Sequence, residues 1–226
     1  MTKIFSAAAL LIMSAAPLMA QYSNPRITAF GGLSFFGGDR AFVSGGEAFQ
    51  TEYKTSGKIG GRFTVDLTDR WAAEASYSFG GSDLRVIELQ AGEPERVYDM
   101  RLHQFVANGL YYFAPPDEVW RPFLTFGLGL AHFSPTGDAK ALASARFLET
   151  DARISSSSKF EINFGGGAER RLTDLLGLRF EIRDHIIGIP RYGLPEEPLN
   201  QGGVSYPVSG AIQNWEISAG VVFHLR

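Results

Sequence analysis

Residues 176–183 read Leu-Gly-Leu-Arg-Phe-Glu-Ile-Arg. Leu176, Leu178, Phe180 and Ile182 fall on one side of a two-residue period, and Gly177, Arg179, Glu181 and Arg183 on the other. That period belongs to an extended strand, here with one apolar and one charged face. The pattern spreads along the chain. Phe160–Arg171 sets Phe160, Ile162, Phe164 and Ala168 against Glu161, Asn163, Gly167 and Glu169. Pro122–Phe133 sets Leu124, Phe126, Leu128 and Leu130 against Thr125, Gly127, Gly129 and Ala131. Trp71–Phe79, Lys58–Leu67 and Trp215–Leu225 alternate in the same way. Arg26–Phe36 is mixed, and the long stretch Val97–Phe113 has no cleanly apolar face, so their registers stay open. The chain is therefore predicted to form eight strands.

The connections between them measure roughly 20, three, 17, eight, 25, four and 30 residues. Long and short links alternate. In an up-and-down antiparallel sheet this gathers the long links at one end and the short ones at the other, the asymmetry of transmembrane barrels. Two of the short links echo each other. Gly60-Gly61 followed by Leu67-Thr68-Asp69 recurs as Gly165-Gly166 followed by Leu172-Thr173-Asp174, each an L-T-D turn between strands. The stretch Asp138–Leu148, inside a long link, suits a short helix.

Composition agrees. The chain has 226 residues, 26 of them Gly, with 18 Phe, 8 Tyr and 3 Trp, a mixture that favours strands and turns. It has no Cys, which excludes disulfides and thiolate metal sites, and its net charge of −3 argues against a nucleic-acid partner. Lys3 followed by an apolar stretch and by Leu18-Met19-Ala20 reads as a secretory signal peptide over 1–20, with an N-terminal anchor as the alternative. The mature domain then runs over 21–226.

Apolar and charged faces on exported strands admit two solutions. A soluble barrel or sandwich would bury the apolar face, whereas a membrane barrel turns it to lipid and holds the charges within. Lys58, Arg62, Arg179 and Arg183 face the same way as Asp66, Glu74, Glu161, Glu169, Glu181 and Glu216. This nearly balanced set can pair across a lumen. A turn at Asp174 puts Glu169 opposite Arg179, and Arg62 comes within diagonal reach of Glu74. Aromatics form two bands, with Trp71, Tyr111, Tyr112, Phe113 and Trp120 near the short turns and Tyr77, Phe79, Phe133, Tyr98 and Trp215 near the long links. Two such girdles are expected at two membrane interfaces.

The final strand carries Ser218, Gly220, Phe223 and Leu225, a polar-x-Gly-x-x-aromatic-x-hydrophobic spacing that ends on Arg226. It resembles the assembly signal of outer-membrane barrels. With the leader and the loop parity, the chain resembles the small eight-stranded outer-membrane barrel family, to which the membrane domain of OmpA belongs. Arg121–Phe133 and Phe160–Asp184 carry most of the likeness. The resemblance implies an eight-stranded antiparallel up-and-down transmembrane β-barrel in the outer membrane. It also implies outer-membrane lipids, including lipopolysaccharide, and the barrel assembly machinery as partners, a monomeric state and no cofactor.

An eight-stranded barrel is just wide enough for side chains to fill it, so the charges are expected to plug the lumen. Gly127, Gly129 and Gly167 would make room for them. Function is then expected at the long links, where no ligand signature is legible. The role expected is structural or adhesive, without chemistry. One constellation points elsewhere: His132 and Ser134, two apart on the outer face, resemble the His-x-Ser pair of outer-membrane lipid A deacylases. Pro135 departs from that motif, and no carboxylate can be placed as a third member. His103, His185 and His224 show no metal-ligand spacing. A soluble periplasmic carrier is the remaining alternative.

Overall fold

The structure, a computed structural model, describes residues 24–38, 40–44, 47–88, 96–146, 153–197 and 205–225. The expected leader over 1–20 lies outside them, as does Leu148 at the end of the expected helix. The strands are β1 (Arg26–Gly37), β2 (Arg40–Ser44), β3 (Glu47–Tyr53), β4 (Ser56–Asp66), β5 (Trp71–Gly81), β6 (Leu84–Glu88), β7 (Arg96–Tyr98), β8 (Met100–Tyr112), β9 (Trp120–Pro135), β10 (Ser157–Arg171), β11 (Leu176–Gly188) and β12 (Ala211–His224). Among the described residues one helix, α1, spans Gly137–Arg146.

Eight of these strands close into a barrel in the order β1-β12-β11-β10-β9-β8-β5-β4, every pair antiparallel. They coincide with the eight expected strands to within a few residues at each end, β11 running furthest past its expected limit, except that Val97–Phe113 breaks at Asp99 into β7 and β8. The open registers are now settled. Arg26, Thr28, Phe30, Ser34 and Phe36 of β1 point inward, as do the even-numbered residues of β8 from Met100 to Tyr112. β12 zips to β1 from Ile27↔Phe223 to Gly37↔Gln213, which leaves the barrel without a free edge.

The apolar faces point outward. Leu124, Phe126, Leu128, Leu130, Phe160, Phe164, Phe180, Ile182 and Ile217 are each about half exposed, while the charges between them are buried. A soluble fold would reverse this pattern, so the apolar wall is the surface that meets hydrocarbon. Three aromatic placements are corrected. Tyr112 and Phe133 point inward and are fully buried, and Tyr98 lies off the barrel on β7. Trp71, Tyr111, Phe113 and Trp120 remain as an outer band near the short turns.

The two L-T-D turns adopt one geometry. The amides of Leu67 and Thr68 both donate to the Trp71 carbonyl, and those of Leu172 and Thr173 both donate to the Leu176 carbonyl. In each, the threonine hydroxyl accepts from two backbone amides, Arg70 and Trp71 in one and Leu175 and Leu176 in the other.

The long links are less irregular than expected. β2, β3, β6 and β7 form a separate four-stranded sheet in the order β2-β3-β6-β7. Tyr53, Leu84 and Tyr98 of this sheet join Met100, Leu102, Phe133, Ala139 and Ala143 of α1, Ile187, Ile189, Tyr192, Tyr206, Val208 and Ile212 in one buried apolar cluster. That cluster caps the long-loop end of the barrel.

Candidate functional site

Inward-facing charges line the lumen between the short turns and the apolar cap. Lys58, Arg62, Asp66, Glu74, Glu161, Glu169, Arg179, Glu181, Arg183 and Glu216 are all at most 6% exposed. Two further cations join them, Arg26 on β1 and Arg121 on β9. Among the described residues the lumen thus holds six cations and six carboxylates, a balance that sequence reading put at four to six. Burying this many charges is tolerable only if nearly every one is paired.

The pairing is layered. Nearest the short turns, Arg26 makes a two-pronged contact with Asp66, Nη1–Oδ2 and Nη2–Oδ1 both 2.8 Å. The Tyr112 hydroxyl accepts from Arg26 and donates to Glu169 at 2.8 Å, while the Arg121 guanidinium lies over its ring at 3.9 Å. In the middle, Glu74 accepts from Arg179 (2.6 Å), Arg183 (3.1 Å) and the Thr64 hydroxyl (3.0 Å). Glu181 meets Arg62 at 3.3 Å and Arg179 at 3.0 Å. The two expected pairs are present: Arg179 Nη1 is 3.3 Å from Glu169, and Arg62 Nε is 3.9 Å from Glu74.

The upper layer is a ring. Lys58 Nζ donates to Gln104 Oε1 (2.7 Å) and Glu216 Oε2 (2.8 Å), and Gln104 Nε2 donates to Glu161 Oε2 (2.8 Å). His185 lies between the two carboxylates, with Nδ1 3.4 Å from Glu161 and Nε2 3.5 Å from Glu216, without a hydrogen bond to either. His185 is therefore part of the charge network, not the isolated histidine its sequence position suggests.

Glycines provide the space. A Cβ on Gly127 would stand 2.0 Å from Asn108 Oδ1, and one on Gly60 would stand 2.5 Å from the Phe30 ring, which itself stacks under Arg62 at 3.6 Å. At the short-turn end a cavity of about 500 Å³ is lined by Arg26, Arg121, Glu169, Arg171 and His224 among others.

On the outer wall the candidate residues His132 and Ser134 lie two apart on β9. His132 Nδ1 is hydrogen-bonded to Ser158 Oγ of β10 at 2.8 Å, and Ser134 stands opposite Arg101 in the ladder. Among the described residues the hydrogen-bond partner of His132 is Ser158 and not a carboxylate. His103 lies directly across from His132, their ring centroids 6.3 Å apart. The spacing of three strands' outward residues carries this cluster, and no sequence-local motif would have found it.

The assembly-signal residues sit on the closing strand. Ser218 accepts from Arg62 in the lumen, Gly220 lies so close to β1 that a Cβ would be 2.7 Å from the Ala29 carbonyl, and Phe223 and Leu225 face outward.

Comparison with known proteins agrees with this architecture. No curated protein sequence matches the chain. Among solved structures, the outer membrane protein OprG from Pseudomonas aeruginosa superposes with a TM-score of 0.58 at 12% identity, covering 91% of this chain and 97% of that one. Outer membrane protein AlkL in lipid bilayers gives 0.54 at 13% identity, covering 91% and 92%. Neisserial surface protein A gives 0.52 at 17% identity, covering 90% and 98%. At these identities the likeness establishes the fold alone. The model of the outer membrane protein beta-barrel domain matches residues 5–223. The chain, an outer-membrane protein with an ionic lumen inside an apolar wall, belongs to the outer membrane protein beta-barrel domain family.

Proposed function

We propose that the protein is a closed, non-conducting barrel that serves as a membrane scaffold and presents its long-loop end for surface interaction, with no chemistry of its own. The observation that carries this reading is the double closure of the lumen. Paired charges fill the middle, and the apolar cluster of Met100, Leu102, Phe133, Ile187 and Ile212 lies above them. A water-filled path would have to part both. The external sheet β2-β3-β6-β7 and α1 then form the platform on which binding would occur.

The reading includes a leader cleaved after Ala20, a monomeric state, lipopolysaccharide and other outer-membrane lipids around the wall, and capture of the last strand by the barrel assembly machinery. Amino-terminal sequencing of the exported protein should begin at Gln21. The decisive experiment is electrical. Refolded protein in a planar bilayer should give no stepwise conductance, and steady channels in the unaltered protein would refute the closed-lumen reading. Purified protein should also release no fatty acid from lipid A, with release abolished by Ser134→Ala or Ser158→Ala as the contrary result.

A further inference from the structure

The outer wall changes character along two adjacent ladder rows. Phe105, Leu130 and Phe160 stand side by side on β8, β9 and β10. In the next outward row toward the long loops stand His103, His132 and Ser158, and beyond them Arg101 faces Ser134. On neighbouring strands the corresponding outward positions are apolar or aromatic, Phe79 and Ile59 among them. The polar groups therefore form one patch on one side of the barrel, at the upper border of the hydrocarbon-facing belt.

The patch is organised. The Tyr77 hydroxyl is 2.9 Å from His103 Nδ1, and the Ser158 hydroxyl is 2.8 Å from His132 Nδ1. Each imidazole is held by its Nδ1, which leaves both Nε2 atoms directed elsewhere. Arg101 is exposed and makes no ion pair among the described residues, and no carboxylate among them hydrogen-bonds any member of the patch. A guanidinium that makes no ion pair among the described residues, two imidazoles and three hydroxyls are complementary to a phosphoryl group. Arginine meets its oxygens with a planar fork, and hydroxyls and imidazole N–H groups supply further donors. The row beneath supplies the other half of an amphiphile, since Phe105, Leu130 and Phe160 are each about half exposed and offer a surface to acyl chains.

We infer that this patch is a seat for one phosphorylated glycolipid of the outer leaflet, its phosphate at Arg101, His103 and His132 and its acyl chains along Phe105, Leu130 and Phe160. Phosphate alone would hold weakly at so exposed a site, and the apolar row is what selects the lipid. The inference rests on the membrane location and is independent of whether the lumen conducts.

The test uses the refolded full barrel in phosphatidylcholine nanodiscs doped with lipid A bearing both phosphates, or with the same lipid dephosphorylated. Lipid retained on the protein after extraction is counted by native mass spectrometry. One phosphorylated lipid should be retained preferentially over the dephosphorylated form. Arg101→Ala and the double variant His103→Gln/His132→Gln should each weaken retention about tenfold, the scale of a lost charge-assisted hydrogen bond. Arg101→Lys should fall between, and Lys140→Ala, an equal loss of charge on α1, should leave retention unchanged. Heat-modifiability on gels confirms that each variant is folded. Equal retention of the dephosphorylated lipid, unaltered retention by Arg101→Ala, complete competition by inorganic phosphate, or retention that needs zinc and disappears with a chelator would each overturn the assignment.

Discussion

Glu74 Oε2 lies 2.6 Å from Arg179 Nη1, although their strands, β5 and β11, are separated in the ring by β8, β9 and β10. The contact spans the lumen instead of running along the wall, so the network ties opposite sides of the barrel together. Glu74 also faces Arg183 at 3.1 Å and Arg62 at 3.9 Å, which makes it a hub for three guanidinium groups.

Removing that hub should be costly. Glu74→Ala leaves three buried cations short of a partner and should destabilise the barrel by about 3–5 kcal/mol, the scale for breaking one side of a buried ion pair. Glu74→Gln keeps the acceptor and should cost less. Replacing both Glu74 and Arg179 by Met should recover part of the loss, because no orphaned charge of that pair remains. Urea unfolding in detergent micelles, followed by tryptophan fluorescence, measures each value. A Glu74→Ala barrel within about 1 kcal/mol of the parent would show that water reaches and screens the lumen.

The matched turns give a second prediction. Thr68 and Thr173 each hold two backbone amides at a tight turn. Thr68→Ala and Thr173→Ala should each cost about 1 kcal/mol, and the double variant should cost their sum, since the turns share no partner. A strongly non-additive pair would mean that the two hairpins form together.

Gly127 supplies the third. The Cβ of Gly127→Ala would meet not only Asn108 Oδ1 at 2.0 Å but also the Ala107 carbonyl at 2.4 Å, and a backbone atom cannot swing away. The cost should be about 1–3 kcal/mol, the scale of overpacking, and Asn108→Ala should relieve only part of it. Gly57→Ala, with nothing within 4 Å of its Cβ, is the control and should stay within about 0.5 kcal/mol of the parent. Equal stability of the two variants would show that β8 and β9 can separate locally at no cost.

These positions also show why the sequence was readable where it was. On β9, β10 and β11 one face meets lipid and the other meets charge, so the contrast between faces is maximal and the register is plain. On β8 the inward residues meet the apolar cap at one end, through Met100 and Leu102, and the Ala72, Leu110, Tyr112 and Phe123 cluster at the other. Both faces then mix apolar and polar residues, with Gln104 and Asn108 inward and Arg101 and His103 outward, and alternation vanishes. On β1, Phe30 points inward to stack under Arg62, which hid the inward run and with it Arg26. Arg121 is hidden in the sequence because the visible alternation begins at Pro122, whereas β9 begins at Trp120. The position of Tyr112 near a short turn suggests the girdle, but its hydroxyl bridges Arg26 and Glu169 in the lumen. β2, β3, β6 and β7 are three to seven residues long, too short for a period to declare itself. The His103, His132 and Ser158 row depends on register between three strands, which no single segment encodes.

The cap yields a final prediction, in the part of the protein outside the membrane wall. Tyr53 and Tyr192 hydroxyls lie 3.1 Å apart within the buried cluster. Burial pushes both phenols above the usual tyrosine range, because neither can ionise without placing a charge among apolar side chains. A phenol whose folded pKa exceeds its unfolded value binds its proton more tightly in the folded state. Its contribution to stability is therefore intact below the ordinary value of about 10 and declines as pH rises beyond it. Phenolate absorbance should show at least these two tyrosines resisting titration until the cap opens, and amide exchange in β3 and around Tyr192 should quicken at the same pH. Tyr53→Phe strands the Tyr192 hydroxyl and should cost about 1 kcal/mol or more, whereas Tyr53→Phe/Tyr192→Phe removes both polar groups and should recover most of it. If both phenols titrate near 10 with the barrel unchanged, the cap is open to water and cannot be what closes the long-loop end.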